Sequence, residues 1–206
     1  MIFGASERTG TPSAFLVVGL GNPGEEFDGT RHNIGFEVVT LLASRHGGKL
    51  KAAKERAKSC EVRIGGALIA LAEPQTYMNL SGESVRMLVK RHGIADPAQV
   101  VVVYDELDLP SGRVKVKIGG GSAGHNGVKS VQAHLGSPAF ARVRVGVGKP
   151  PGTQKGVDYV LKRPGKAERV VLDVAVEIAA DAVETILANG VERAMNTYNT
   201  EPAPTS

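Results

Sequence analysis

Short apolar runs separated by turn residues predict buried strands that alternate with amphipathic helices. The first run, Phe15-Leu16-Val17-Val18, is typical of a central strand. Asn22-Pro23-Gly24 must then turn the chain, because proline fixes its φ angle and lacks an N–H. A helix is predicted from about residue 31 to residue 46, with Thr30 as its N-cap. The apolar face of this helix carries Ile34, Val38, Leu41 and Leu42.

The remaining elements follow the same two periodicities, which are two residues in strands and three to four in helices. Further strands are predicted at 60–64, 67–72, 100–104, 113–118 and 139–147, and further helices at about 81–92, from the loop 119–127 to about 135, and at 166–189. Gly65-Gly66 is typical of a hairpin turn. Because strands and helices interleave but include a hairpin, we expect a single-domain α/β/α sandwich with a mixed, mostly parallel twisted sheet flanked by helices.

The two ends of the chain differ in composition from the segment between them. Residues 1–14 are polar and rich in Gly, Ser and Thr, so we expect a flexible extension there, one domain at 15–199 and a flexible tail at 200–206. The start lacks the pattern of a signal peptide, and no apolar run approaches the roughly 20 residues of a membrane helix. One cysteine, Cys60, excludes an internal disulfide and a zinc site built from several cysteines. A reducing, cytoplasmic setting fits these features.

The charge of the chain is unevenly distributed. Residues 1–110 have a net charge of −1, residues 111–169 of +10 and residues 170–206 of −5. Two strands in the central block alternate basic and apolar residues, so the cations share a face. These cations are Lys115, Lys117, Arg142 and Arg144. A polyanionic partner, nucleic acid first, and a merely solvated basic surface remain alternative explanations.

Two short segments match known functional motifs in sequence but lack the surrounding features that those motifs require. Gly19-Leu20-Gly21-Asn22-Pro23-Gly24 has the spacing of a dinucleotide fingerprint, but a proline intervenes and the next strand comes only near residue 60. Gly120-Gly121-Ser122-Ala123-Gly124 matches a serine nucleophile elbow, but no acidic residue separates its serine from the last histidine, His134. The glycine-rich loop that contains this segment can still bind a phosphate or a developing oxyanion at the start of the following helix. The alternative is that the loop is a plain turn.

His32 is the strongest candidate for a general base. Its predicted place at the positive end of a helix disfavours the imidazolium and favours the neutral ring. A carboxylate would orient the ring and stabilise its charged form during a reaction, and Asp105 ends a predicted central strand. His125 is the second candidate. A helical histidine is otherwise a surface residue or a hydrogen-bonded core residue.

Three asparagines, Asn22, Asn79 and Asn126, lie in predicted turns that lead to one edge of the sheet. The simpler interpretation is that each forms a turn. An amide also offers both a donor and an acceptor, which suits the binding of a peptide bond. We expect the Asn22 side-chain oxygen to accept from a substrate amide and its NH₂ group to donate to a peptide carbonyl.

Five motifs together resemble those of bacterial peptidyl-tRNA hydrolases, in order and in spacing. They are Val18-Gly19-Leu20-Gly21-Asn22-Pro23-Gly24, Thr30-Arg31-His32-Asn33, Tyr77-Met78-Asn79-Leu80-Ser81-Gly82, Asp105-Glu106-Leu107-Asp108-Leu109-Pro110, and the loop 119–127. The resemblance runs from about residue 15 to residue 198. It implies a usually monomeric α/β enzyme that hydrolyses the ester between a peptide and the 3′ ribose of tRNA and so recycles the tRNA. We expect neither a metal nor a cofactor.

The resemblance also implies roles for individual residues. The implied roles are a base at His32, its holder at Asp105, discrimination of blocked from free aminoacyl groups at Asn22, and binding of the substrate end at Phe27, Tyr77, Asn79 and Asn126. Phe27 stands where family members often have tyrosine, so only a stacking contact can survive there. Ser122-Ala123 replaces a bulkier, more polar pair of some relatives. The four basic residues named above would hold the acceptor stem through phosphates, without reading its sequence.

Two other classes of function remain open from the sequence. One is a non-catalytic RNA-binding protein, because some plant organellar splicing proteins resemble this family without hydrolase activity. The other is an enzyme with a nucleotide cofactor. The presence of both His32 and Asp105 favours the hydrolase.

Overall fold

The computed structural model describes residues 12–200, which form one sheet with helices on both faces. The strands are β1 (Phe15–Gly19), β2 (Lys51–Ala53), β3 (Ala57–Ile64), β4 (Ala67–Pro74), β5 (Val100–Glu106), β6 (Val114–Ile118) and β7 (Ala141–Gly146). The helices are α1 (Ile34–Arg45), α2 (Ser81–Arg91), α3 (Asn126–Leu135), α4 (Gly156–Val160), α5 (Lys166–Asn189) and α6 (Val191–Tyr198). Short 3-10 turns lie at Glu25–Phe27, Arg31–Asn33, Met78–Leu80 and Pro97–Gln99.

The sheet is mixed and its four central strands are parallel, as the sequence predicts. The strand order is β2-β3-β4-β1-β5-β7-β6. Strands β4, β1, β5 and β7 pair in parallel, whereas β3 and β6 run antiparallel to their neighbours. The central strand β5 is buried along its whole length, because helices cover both of its faces.

Two hydrophobic clusters, one on each face of the sheet, lie between the sheet and the helices and confirm the α/β/α sandwich. Alternation along β1 places Val17 in one cluster and its neighbours Leu16 and Val18 in the other. The first cluster is closed by α1, α5 and α6, and the second by α2 and α3. No helix among residues 12–200 has the length and apolar character that a membrane span requires.

Most predicted elements are confirmed with differences at their ends, whereas β2, α4 and α6 were not predicted. Helix α5 spans Lys166–Asn189 and ends at Gly190, as predicted. Strand β5 continues to Glu106, so Asp105 lies inside the strand rather than after it. The predicted N-terminal extension is too long, since Ser13 N–H donates to the His92 carbonyl and Ala14 N–H to the Leu68 carbonyl. Residues 1–11 and 201–206 lie outside the described part of the chain.

The segment between β1 and α1 differs from the predicted helix start. Thr30 does not cap with its side chain; its hydroxyl donates to the Phe27 carbonyl at 2.7 Å. The chain then forms the 3-10 turn Arg31–Asn33 before α1 begins. Helix α1 packs so closely that a Cβ at Gly35 would lie 2.5 Å from the Leu20 nitrogen and the Val103 carbonyl oxygen. This close packing brings the 3-10 turn, with His32, to the end of β5.

Candidate active site

A cavity of about 760 Å³ opens where β1 and β5 end. Ligands bind at this edge in open α/β sheets, beyond the carboxyl ends of the strands. The structure brings together here every residue that the sequence predicts for catalysis and for binding the substrate end. These residues are Asn22, Phe27, His32, Tyr77, Asn79, Asp105 and Asn126.

His32 and Asp105 form a hydrogen-bonded pair at the base of this cavity. The His32 Nδ1 lies 2.9 Å from the Asp105 Oδ1, although the two residues are 73 positions apart. Asp105 is 3 % exposed and His32 is 14 % exposed. Because the carboxylate can only accept, the neutral form of His32 carries its proton on Nδ1 and has its lone pair on Nε2. His32 therefore has the tautomer that a general base needs.

The pKa of His32 is raised, whereas its predicted place at a helix start suggested that the neutral ring would be favoured. Burial lowers the pKa of His32, but the charge and the hydrogen bond of Asp105 outweigh it and leave this pKa above its usual 6.5. A full charge at hydrogen-bond distance exceeds the partial charge of a helix end, so the expectation that the helix keeps the ring neutral is wrong. Burial raises the pKa of Asp105, yet His32 and His125 together lower it below its usual range.

His125 is a second donor to the same carboxylate oxygen. Its Nε2 lies 3.0 Å from the Asp105 Oδ1. Its Nδ1 accepts from the Val128 N–H at 3.3 Å, which makes His125 the N-cap of α3. Both ring nitrogens are therefore in use, and His32 rather than His125 can act as the base. The sequence offered one signal for this role, a histidine directly before a predicted helix in a glycine-rich loop.

The same three side chains have the composition of a metal site. The ligand atoms of His32, Asp105 and His125 all lie within 4.8 Å of one another. The two N–H···O hydrogen bonds account for this spacing, and an ion would have to displace both of their protons. The hydrogen bonds thus explain the close approach of the three side chains without an ion.

Asn22 is held by three hydrogen bonds, and one of them occupies the side-chain oxygen that we expected to accept from a substrate. Its side-chain Oδ1 accepts from the Met78 N–H at 2.7 Å. Its backbone N–H and carbonyl pair with the side chain of Asn33. Its Nδ2 makes no hydrogen bond within residues 12–200, and Asn22 lines the cavity. The group that Asn22 offers to a ligand is therefore the donor and not the acceptor.

Asn79, Asn126, Phe27 and Tyr77 lie at the rim of the cavity. Asn79 and Asn126 are exposed, and their side-chain amides make no hydrogen bond within the described chain. The Tyr77 side chain is 61 % exposed. Phe27 belongs to the 3-10 turn Glu25–Phe27. These side chains are free to contact a ligand that enters the cavity.

The cavity also has an apolar wall, which was not predicted from the sequence. Helix α4 and the residue after it supply Val157, Val160 and Leu161 to this wall. Arg31 anchors the wall, because its guanidinium donates to the carbonyls of Tyr159 and Lys162 and to Glu168 of α5. The three apolar residues of the wall have the i, i+3, i+4 spacing of a helix face, but α4 has only five residues, so the pattern is too short to predict a helix by itself.

The four predicted phosphate ligands have different surroundings. Arg142 is fully buried, and its guanidinium donates to the carbonyls of Gly120 and Gly121 at 2.7 and 2.8 Å. The buried guanidinium cannot reach a phosphate, so the structure contradicts the prediction that Arg142 binds phosphate. Arg142 instead holds the glycine-rich loop in place. Arg144 is 20 % exposed and is paired with Glu106.

Lys115 and Lys117 lie on β6 directly opposite Arg144 and Arg142 of β7. Like charges in directly opposed positions repel one another. Burial, and then the charges of Arg142 and Arg144, lower the pKa of Lys117. An anion bound beside Lys115, Lys117 and Arg144 would relieve this repulsion.

Comparisons with known proteins show the family of this chain. Residues 16–205 match the model of a family described as peptidyl-tRNA hydrolase. The chain is 49 % identical over 185 residues to a peptidyl-tRNA hydrolase of Frankia alni, covering 90 % of this chain and 93 % of the relative. It is 50 % identical over 186 residues to one of an Anaeromyxobacter strain, covering 89 % and 95 %. The crystal structure of peptidyl-tRNA hydrolase from Acinetobacter baumannii superposes with a TM-score of 0.84 at 36 % identity, over 95 % of this chain and 98 % of that one.

Proposed function

Because the chain belongs to the peptidyl-tRNA hydrolase family, we propose that its cavity hydrolyses the ester bond between a peptide and the 3′ ribose of tRNA, with His32 as the general base. The observation that carries this proposal is the pair of His32 and Asp105, which places the lone pair of the neutral His32 ring on Nε2 beside the cavity. The alternative of a non-catalytic RNA-binding relative is not favoured, because the similar proteins are hydrolases and the catalytic pair is assembled.

The proposed reaction needs one water molecule and one histidine. His32 Nε2 takes a proton from water as the oxygen attacks the ester carbonyl carbon and forms a tetrahedral intermediate. The intermediate then collapses, the bond to the ribose oxygen breaks, and the imidazolium returns the proton to that oxygen. Asp105 stabilises the imidazolium through its charge and keeps Nε2 directed at the water. The products are a peptide carboxylic acid, which loses its proton to the solvent, and a tRNA with a free 3′ hydroxyl group.

We assign discrimination between peptidyl and free aminoacyl groups to Asn22. Its Nδ2 donates to the carbonyl oxygen of the peptide bond next to the ester. A free aminoacyl group lacks this carbonyl, and its amine, when protonated, has to lose water to enter. Such a site rejects the shorter ligand because its own donor is then left without a partner. The exposed amides of Asn79 and Asn126 bind the same end of the substrate, beside the rings of Phe27 and Tyr77.

The tRNA acceptor stem lies across β6 and β7 in this proposal. Lys115, Lys117 and Arg144 neutralise its phosphates, which gives affinity without sequence preference. We propose action as a monomer, which the resemblance to the family implies. Because peptidyl-tRNA arises during translation, the proposal assigns the activity to the cytoplasm.

The experiment that tests the reaction measures release of the N-acetyl amino acid from N-acetyl-aminoacyl-tRNA. We expect release by the wild type and a loss of roughly 10²–10⁴-fold in His32→Ala, the usual range for a general base. Thermal unfolding and tRNA binding should remain close to those of the wild type. Activity within a few-fold of the wild type would remove His32 from the mechanism, and tRNA binding without release by the wild type would support the non-catalytic alternative.

A further inference from the structure

The 3-10 turn Arg31–Asn33 connects three parts of the active site through three successive side chains. Arg31 reaches α5 at Glu168, and His32 reaches β5 at Asp105. Asn33 reaches the turn after β1 at Asn22. The first two contacts anchor the cavity wall and the base. The third contact has no role in the reaction proposed above.

Asn33 pairs with the backbone of Asn22 through both ends of its amide. Its Oδ1 accepts from the Asn22 N–H at 2.8 Å, and its Nδ2 donates to the Asn22 carbonyl at 2.9 Å. Asn33 is 3 % exposed, and its side chain makes no other hydrogen bond among residues 12–200. A primary amide is the group that can supply one donor and one acceptor to a single residue in this way.

The pairing determines where the Asn22 side chain can point. The two contacts from Asn33 hold the Asn22 backbone, and the Met78 N–H holds its Oδ1. Since the amide group is planar, fixing the Oδ1 also fixes the direction of Nδ2. Asn22 lies in a turn between β1 and a 3-10 turn, where no strand or helix would otherwise hold its backbone.

We propose that Asn33 is a positioning residue that holds the Asn22 Nδ2 in place for the peptide carbonyl of the substrate. This inference rests on the proposed function, in which Asn22 contacts that carbonyl. Asn33 itself does not touch the substrate, because it is buried behind Asn22 and does not line the cavity. Loss of Asn33 leaves the donor present but poorly directed, which weakens recognition of a blocked substrate more than that of a free aminoacyl group.

The chain contains a matched control for this contact. Asn199 makes the same two-point pairing with the backbone of Val116, at 2.8 Å for each hydrogen bond. It follows α6 and does not line the cavity. Asn199→Ala therefore removes the same chemical contact at a place outside the cavity. Using the ratio of two substrates that share a tRNA cancels any effect on the nearby residues of β6.

The test is a double-mutant cycle of Asn22→Ala, Asn33→Ala and the combined variant, measured as kcat/KM for N-acetyl-aminoacyl-tRNA and for aminoacyl-tRNA. We expect Asn33→Ala to lower the ratio of the two values by roughly tenfold, as for the loss of one directed hydrogen bond. It should have no further effect on the ratio in the Asn22→Ala background. Asn199→Ala should leave the ratio unchanged.

The outcomes separate this inference from the proposed function. If Asn22→Ala alone leaves the ratio unchanged, the proposed role of Asn22 is wrong. If Asn22→Ala lowers the ratio but Asn33→Ala lowers it by the same factor in both backgrounds, Asn22 keeps its role and the inference about Asn33 is wrong. The second pattern would indicate that Asn33 acts through its neighbour His32.

A measurement on the unmodified protein covers the case in which Asn33→Ala does not fold. Amide hydrogen exchange of Asn22 is followed by NMR with and without an amide-linked N-acetyl-aminoacyl-adenosine, which cannot be hydrolysed as an ester. We expect the backbone N–H of Asn22 to exchange slowly in the free protein and more slowly still with the ligand bound. The slowing on ligand binding should be at least severalfold greater than that of the Gly48 N–H, which donates to the Ala43 carbonyl outside the cavity. Equal slowing of the two amides, or rapid exchange at Asn22, would overturn the proposal.

Discussion

The side-chain oxygen of Asn22 accepts a hydrogen bond from the backbone N–H of Met78 at 2.7 Å. This contact commits the acceptor of the amide to the protein and leaves the donor for the cavity. The sequence alone indicated an amide that both donates and accepts toward a substrate. The structure reduces that expectation to one directed donor, and a sharper prediction for Asn22 becomes possible.

Asn22→Asp should impair the use of blocked substrates while preserving the fold. Aspartate keeps the oxygen that accepts from the Met78 N–H and replaces the Nδ2 donor by a second oxygen. We expect a cost of about 1–3 kcal/mol in kcat/KM for N-acetyl-aminoacyl-tRNA and a smaller cost for aminoacyl-tRNA. Equal losses for both substrates would show that Asn22 shapes the site without discriminating, and Asn79 or Asn126 would then be the better candidate.

Asp105→Asn should change the pH dependence of the reaction. The base must be unprotonated, and Asp105 raises the pKa of His32, so kcat/KM of the wild type should rise with pH through a value above 6.5. Without the carboxylate, burial lowers the pKa of His32, and the acid limb should move to lower pH. The plateau should fall less than in His32→Ala, since the ring remains but its imidazolium loses support. An acid limb that stays in place would mean that another group titrates.

Lys115 and Lys117 should account for part of the salt dependence of tRNA binding, whereas Arg142 should not. The double variant Lys115→Gln/Lys117→Gln should raise KM for peptidyl-tRNA and reduce the salt slope by about one unit for each lost contact. KM for a short N-acetyl-aminoacyl nucleoside should not change. Arg142→Gln is the control, because its guanidinium holds Gly120 and Gly121 and is fully buried. A slope that falls in Arg142→Gln but not in the lysine variant would contradict this assignment.

Arg31→Ala should destabilise the protein and loosen the apolar wall of the cavity. Arg31 is 7 % exposed, and its loss leaves Glu168 and two backbone carbonyls without their donor. We expect a loss of about 3 kcal/mol in the free energy of unfolding, measured with urea, and a higher KM for the nucleoside substrate. The control is Arg169→Ala, which breaks ion pairs with Glu37 and Asp173 away from the cavity. A KM that rises equally in both variants would argue against a specific role for Arg31.

The sequence by itself determined the layers of the fold and the proposed catalytic pair. Side-chain alternation and helical periodicity are local properties, so they predicted the apolar run of β5 and the full extent of α5. The partnership of His32 and Asp105 was also predictable. A residue at the start of a helix and one at the end of a parallel strand meet at the same edge of such a sheet.

Only the tertiary structure decided which partner each polar group has. Alternation placed Arg142 on a face of β7, but its burial depends on the carbonyls of Gly120 and Gly121, which belong to a different loop. The direction of the Asn22 amide depends on Met78, 56 residues away. A hydrogen bond requires two atoms within about 3 Å of each other, and periodicity specifies a face of an element without specifying its neighbour at that distance.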